Sequence, residues 1–426
     1  MAAQASRERK KVSPPSSAPA AVAARPSGRL WLLLLIAYPI LVLIGFALLQ
    51  RPGVMVEGQQ LSEVRAIMIA SSTLTLTGFQ FAVGPNEFNP ESIQGPAIIL
   101  TLTMAGTLLA LIVGGCAARR ALRLPYSDRQ IIIAAIVAEA LAILAGSAGL
   151  LGEGRSFYEA VQMAVSAFGN SGAIVVRPNA GGMPALTSWR VHGLLLPLSV
   201  IGGLGLPVLM EMYDALFGIR PLSRHSRTVL AATSAIYVFS VIGLAWCMMN
   251  GDSTPPGTLR EAIVKSSATS LDARTAGMPL GLIKNVPVSQ WVIMVLMIIG
   301  GSPASTAGGV KVTTFWVLGK GVGDILRRRA VSRVVGVAAI WLAFYLLTAL
   351  VGFLAISAAE PQLQSDRVWF MSISALGNVG LSHDPISIVD SGAYILSLLM
   401  LIGRIAPLVV LWILALWVED VDVLVG

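Results

Sequence analysis

The stretch Leu376–Gly380 reads LGNVG, and three other segments share its plan of small or hydroxyl-bearing residues closing on a glycine. They are LTLTG at Leu74–Gly78, FGNSG at Phe168–Gly172 and ARTAG at Ala273–Gly277. The closing glycines fall about a hundred residues apart, a period that points to one structural unit used four times around an axis. Glycine reaches backbone angles closed to other residues and can turn successive carbonyl oxygens toward one point. Four such turns on an axis make a ring of carbonyl oxygens able to replace an ion's hydration shell.

Composition sets the environment of these turns. The chain is 55% hydrophobic and 12% charged, with a mean hydropathy of +0.77, which excludes an ordinary soluble domain. Uncharged runs long enough to span a bilayer occur at Trp31–Leu49, Ala97–Ala118, Val191–Met210, Thr228–Asn250 and Val334–Ala359. Three more are interrupted: Ile131–Leu151 carries Glu139, Val286–Val310 dissolves into Gly and Ser, and Tyr394–Trp417 carries Arg404. The reading is an all-α polytopic membrane protein with eight crossings.

The 30 Lys and Arg outnumber 22 Asp and Glu, a net charge of +8. They cluster before Leu30, after the second run (Arg119, Arg120, Arg123, Arg129), after the fourth (Arg220, Arg224, Arg227) and after the sixth (Lys320, Arg327–Arg329, Arg333). This alternation is the positive-inside pattern and predicts cytoplasmic termini; it makes nucleic-acid binding an unneeded explanation. Residues 1–29, rich in Ala, Ser and Pro, read as a disordered basic tail without a cleavage site. Cys116 and Cys247 lie in different apolar runs, and His192, His225 and His383 are scattered, so neither disulfide nor metal site is indicated. A membrane enzyme lacks a clustered acid–base or nucleophile set, and a solute transporter coupled to protons or sodium lacks mid-membrane acids beyond Glu139.

Between spans, short semi-polar segments begin near Ser62, Ser156, Thr258 and Ser365 and run into the four glycine turns. Ser156 with Glu159 and Thr258 with Glu261 have capping-box spacing. Helices of about twelve residues are roughly 18 Å long, enough to dip half-way into the bilayer, with their negative C-terminal ends favouring a central cation. Gly300–Thr314, GGSPASTAGGVKVTT, breaks the sixth run with small residues and proline and predicts a flexible intramembrane loop. It lacks the GKS or GKT ending of a phosphate-binding loop. Arg404 reads either as an arginine facing a cavity or as a structural one, with Glu139 a candidate counter-charge, and Lys265 has no evident role.

GGSPASTAGGVKVTT resembles the gating loop of the Trk/Ktr/HKT superfamily of potassium transporters. SAFGNSG, RTAG and SALGNVGLS resemble its second to fourth pore loops, and IGGLGLPV (Ile201–Val208) and LIGRIAPL (Leu401–Leu408) its helix motifs. The resemblance runs from the first span to the last and is nearest the eight-helix Ktr type. It implies four membrane–pore–membrane repeats, at 30–118, 119–217, 218–328 and 329–426, around one pseudo-fourfold pathway. It implies a filter of backbone carbonyls at Thr77, Gly78, Asn170, Ser171, Gly172, Thr275, Ala276, Gly277, Asn378, Val379 and Gly380. The gate would be the loop 300–310, with Gly300, Gly301, Ser302, Ser305, Thr306, Gly308, Gly309 and Lys311, faced by Arg404. Potassium is the implied transported ligand, with no cofactor; the alternatives are sodium or mixed monovalent cations. The implied setting is the cell inner membrane, with lipid, a second copy of the chain and a separate cytoplasmic nucleotide-binding subunit as partners. Ala173, Met278 and Leu381 replace the aromatic that follows the filter glycine at Phe79, Gly169 replaces an asparagine, and Pro279 a small or polar residue.

Overall fold

The computed structural model describes residues 28–56, 61–79, 88–89, 92–151, 155–175, 184–185, 187–251, 256–276, 287–382, 388, 390–417 and 423–424. The predicted tail before residue 28, and Gly277, Met278 and Pro279, lie outside the described residues.

Long helices match the apolar runs: α1 (Gly28–Leu49), α3 (Gln94–Ala121), α4 (Asp128–Leu150), α8 (Arg224–Gly251), α12 (Arg333–Ala359) and α14 (Asp390–Trp417). A backbone in lipid must satisfy its own hydrogen bonds, which leaves uninterrupted apolar sequence the choice of helix. α1 starts inside the stretch expected to be tail, and α3 runs past the expected repeat boundary at 118. Five of the helices have the length and apolar character of complete spans, and a bent pair is a sixth candidate. No strand occurs among the described residues. α12 shows how such a helix is positioned: Ala338, Trp341, Tyr345, Ala349, Gly352 and Ile356 form a buried stripe at three- and four-residue spacing. Ile340, Phe344, Leu347, Val351 and Leu354 are exposed on the other side, a surface suited to lipid and costly in water.

Four short helices alternate with the long ones: α2 (Glu63–Leu74), α5 (Phe157–Gly169), α9 (Leu259–Asp272) and α13 (Ser365–Leu376). Each packs on the long helix before it and on the element after it, α2 between α1 and α3, α5 between α4 and α6, α9 between α8 and α10, α13 between α12 and α14. Here α6 is Leu196–Leu204 and α10 is Pro287–Ile298. Ser62, Ser156 and Thr258 cap their helices through the side-chain oxygen, and the Ser156–Glu159 box is complete. The Thr258–Glu261 box is only half made. Glu261 reaches the Gly257 amide at 3.2 Å instead of the Thr258 amide, and its other oxygen pairs with Lys265 at 2.7 Å. That exposed i,i+4 pair gives Lys265 a local role.

Two expected spans are broken. The fourth begins with a π-helical turn at Val191–Leu195, continues as α6, and bends by 103° into α7 (Leu206–Leu216). The uninterrupted run Val191–Met210 is therefore not one straight helix. Gly205 at the bend has φ +83°, and Pro207 sits in the first turn of α7, where its missing N–H costs nothing. The sixth is α10, an irregular loop, and α11 (Val312–Leu326).

At the basic end of α3, Arg119 and Arg120 both bind Asp128 (3.0 and 2.6 Å), and Arg120 lies over the Trp412 ring. Tyr126, between α3 and α4, donates to Asp214 of α7 at 2.9 Å. Burial and then that carboxylate raise its phenol above the ordinary tyrosine value. The expected basic clusters thus also clamp helix ends together.

Candidate functional site

The four glycine turns begin where the short helices end, and they share one backbone device. The residue two before each closing glycine is left-handed: Leu76 (φ 59°), Asn170 (56°), Thr275 (66°) and Asn378 (51°). The glycines that follow have φ 77° at Gly78, 72° at Gly172 and 79° at Gly380, while Gly277 lies outside the described residues. Non-glycine residues adopt this region rarely, so finding it at the equivalent position of all four turns marks a common loop shape. In three turns the shape is closed by a main-chain bond back to a serine of the short helix: Thr77 N to Ser72 O (2.8 Å), Ser171 N to Ser166 O (2.9 Å) and Val379 N to Ser374 O (2.9 Å).

The turns converge. A Cβ built on Gly78 would fall on the Ser171 carbonyl oxygen, and one on Gly380 would fall on the Thr77 carbonyl oxygen. The first turn therefore touches both the second and the fourth at carbonyl oxygens. Asn170 and Asn378 brace these contacts with their side chains. Asn170 Nδ2 donates to Ser199 O (3.2 Å) and Thr306 Oγ1 (2.7 Å); Asn378 Nδ2 donates to Met400 O (2.9 Å) and Thr77 Oγ1 (3.0 Å). Each asparagine thus reaches a carbonyl on the following span and a threonine hydroxyl elsewhere in the centre. That bracing was hidden in the sequence, although the shared GN dipeptide was visible. Asn170→Leu is expected to cost about 1–3 kcal/mol by orphaning the buried groups, read as a lower unfolding midpoint in detergent. Gly169, the departure from an expected asparagine, has its own reason: a Cβ there would stand 2.6 Å from Thr107 Oγ1 of α3.

The loop expected at 300–310 is irregular and bonded at both ends. Gly300 N donates to Val310 O (2.9 Å), Val310 N to Ile298 O (3.0 Å), Gly301 N to Gly308 O (3.3 Å) and Val312 N to Gly301 O (2.9 Å). The loop also completes the broken α6–α7 bend. Ser302 N donates to Gly203 O (2.9 Å), Thr306 N to Gly202 O (3.3 Å), and Leu206 N to Ala304 O (3.2 Å). These are the end groups that a helix break leaves without intrahelical partners. Gly308 is needed for a different reason, since a Cβ would fall on the Gly377 carbonyl oxygen beside the fourth turn. Lys311 Nζ donates to Ala307 O at 2.7 Å.

Arg404 on α14 sits between the turns and this loop. Its Nε and Nη2 donate to Thr75 O and its Nη1 to Thr306 O (2.8 Å). All three nitrogens are spent on carbonyls, and no ion pair joins Arg404 to Glu139, which corrects the counter-charge expectation. Glu139 is 3% exposed on α4, and its Oε1 has no hydrogen-bond partner. Glu139→Gln is therefore expected to keep or raise the thermal midpoint, whereas a true buried pair would lose about 3–5 kcal/mol. Lys311 and Arg404 line a cavity of about 20 Å³ with Pro303, Ser305 and Pro407, room for one water.

Arg274 is the functional-looking residue the sequence reading passed over. It lies next to left-handed Thr275, is 7% exposed, and its guanidinium donates to Ile299 O (3.1 Å) and Gly300 O (3.0 Å). The available signal was a charge inside an otherwise uncharged turn. No group of three or more His, Cys, Asp or Glu suited to a metal ion occurs among the described residues.

No protein-family model matches the chain. The chain is similar to the Ktr system potassium uptake protein B of Vibrio alginolyticus, 26% identical over 408 residues, covering 86% of this chain and 87% of that one. It is 27% identical over 422 residues to the protein of the same name from Bacillus subtilis (strain 168), covering 88% and 90%. The potassium/sodium uptake protein NtpJ of Enterococcus hirae is 23% identical over 413 residues, covering 88% and 90%. Among solved structures, the potassium transporter TrkH from Vibrio parahaemolyticus superimposes with a TM-score of 0.68 at 17% identity, over 91% of this chain and 86% of that one.

Proposed function

We propose that this chain is the membrane subunit of a Trk/Ktr-type ion transporter and that it carries potassium into the cell through a four-turn carbonyl filter. The observation that carries the reading is the left-handed residue repeated at one position in all four turns, with two glycines at which a Cβ would meet a neighbouring turn's carbonyl oxygen. Each repeat is then a span, a short helix, a turn and a second span, with eight crossings around one pseudo-fourfold pathway. The C-terminal ends of α2, α5, α9 and α13 add negative potential near the turns. Thr77, Ser171, Ala276 and Val379, with their flanking filter positions, present main-chain oxygens to a dehydrating cation.

The loop 300–310 is the gate in this reading. It lies against the second turn through Asn170 and Thr306, and Arg404 fastens it to the first. The positive charges of Arg404 and Lys311, which line one cavity with the loop, raise the barrier in this reading. The membrane is the inner membrane of the cell, with the basic ends of the helices on the cytoplasmic side. The relatives are named as parts of a potassium uptake system, which supports a separate regulatory subunit; in this reading that subunit is cytoplasmic and acts on a homodimer of this chain.

The second reading, transport of sodium or of both ions, draws on the likeness to a protein named for potassium and sodium uptake. Purified protein in proteoliposomes, loaded in turn with potassium, rubidium, sodium and lithium, separates the two. Potassium and rubidium flux well above sodium supports the first reading. Equal potassium and sodium flux supports the second, and no monovalent cation flux overturns both.

A further inference from the structure

The loop 300–310 is suspended from the turns themselves, and its point of departure is held by a residue no role has yet been given. At its far end, Thr306 receives Arg404 through its carbonyl and Asn170 through its hydroxyl; Arg404 also grips Thr75 of the first turn, and Asn170 belongs to the second. At its near end, where α10 stops, Arg274 of the third turn grips the carbonyls of Ile299 and Gly300.

We propose that Arg274 is a positioning residue that couples ion occupancy of the third turn to the seat of the gate loop. The inference rests on reading the turns as a filter and the loop as a gate. Its physical basis is the directness of the link. Arg274 is bonded to Thr275, the left-handed residue whose carbonyl and that of Ala276 belong to the turn. Binding a dehydrated cation fixes those peptide planes, and the guanidinium carries the constraint to two successive carbonyls at the start of the loop. An arginine suits the task because its nitrogens form a planar fork, here divided between Ile299 O and Gly300 O; a lysine, a point donor, cannot reproduce that geometry. The guanidinium is buried, and neutral carbonyls rather than a carboxylate hold it, so its bonds are strong without closing a salt bridge. Reciprocity follows: if the cation favours one seat of the loop, that seat favours the cation by the same factor.

The test uses the full chain in lipid nanodiscs, with Cys116→Ala, Cys247→Ala and a probe at Ser305→Cys. Ser305 is a buried residue of the loop, so the rate at which a small methanethiosulfonate modifies the introduced thiol reports the loop's seat. Potassium chloride is titrated against N-methylglucamine chloride at constant ionic strength, and potassium binding is measured calorimetrically on the same samples. With Arg274 present, the modification rate is expected to change about tenfold or more across the binding transition. With Arg274→Lys, potassium is expected to bind with near-parental affinity while the modification rate loses its potassium dependence. Arg274→Gln, which keeps a donor but cannot hold both Ile299 O and Gly300 O, is expected to lose most of that dependence and serves if Arg274→Lys does not fold; an undiminished response in it then overturns the coupling.

Full potassium dependence in folded Arg274→Lys, or none in the Arg274 protein that binds potassium, overturns the coupling and leaves the filter reading standing. Absence of potassium binding in the Arg274 protein overturns the filter reading and the coupling with it.

Discussion

Gly380→Ser is expected to reduce potassium-over-sodium selectivity by about tenfold or more, equivalent to about 1.4 kcal/mol of lost discrimination. Two effects act together. Gly380 has φ +79°, a region that costs an L-residue on the order of 1–2 kcal/mol. The added Cβ also falls on the Thr77 carbonyl oxygen, so the first turn must yield as well as the fourth. The displaced groups are backbone, not the far end of a flexible side chain, and have no alternative rotamer. α13 and α14 stay outside the clash, so membrane insertion is expected to persist. Paired potassium and sodium flux in proteoliposomes measures the effect, with size exclusion to verify folding. An unchanged flux ratio in well-folded protein would remove Gly380 from the filter.

Arg404→Ala is expected to raise cation flux several-fold at saturating potassium. The substitution removes a fixed positive charge and frees the Thr306 end of the gate loop from Thr75. Like charges about 4 Å apart repel by ~4 kcal/mol at an effective dielectric of ~20, so even partial relief is large on the scale of a conduction barrier. Arg404→Lys keeps the charge but cannot serve both carbonyls and should fall between the two. Since Arg404 pairs with carbonyls and not with Glu139, its loss strands no carboxylate. The stability cost should stay within the about 1–3 kcal/mol expected for unsatisfied carbonyls. Flux that falls while the thermal midpoint holds would sink the barrier role.

Much of this was readable from local chemistry. Gly78 and Gly380 mark positions where a side chain would strike a neighbouring carbonyl, and that requirement is written in residue type alone. The apolar runs became the long helices because lipid leaves few alternatives. Ser156 and Glu159 formed their box because both partners lie within one turn. What stayed hidden depends on distant partners. The bend at Gly205 exists because a loop a hundred residues later supplies donors and an acceptor; from Gly-Leu-Pro alone a straight, proline-bearing span is equally acceptable. Arg404 and Glu139 looked like mates as opposite charges in apolar sequence, yet three carbonyl contacts satisfy the arginine instead. Arg274 and the asparagine brackets likewise join residues far apart in the chain.

The reciprocal bonding of the two broken spans bears on how the protein is made. Synthesis runs from the N-terminus, so the α6–α7 segment enters the bilayer before Ser302, Ala304 and Thr306 have left the ribosome. Until they arrive, a bend at Gly205 would leave Gly202, Gly203 and Leu206 with bare polar groups in hydrocarbon, at several kcal/mol each. The fourth span is therefore expected to enter straight and to fold over later, when the sixth comes to lie beside it. On this argument the bend comes late in biogenesis, and the nascent chain carries the joint between Gly202–Leu206 and Ser302–Thr306 unfinished until both halves meet.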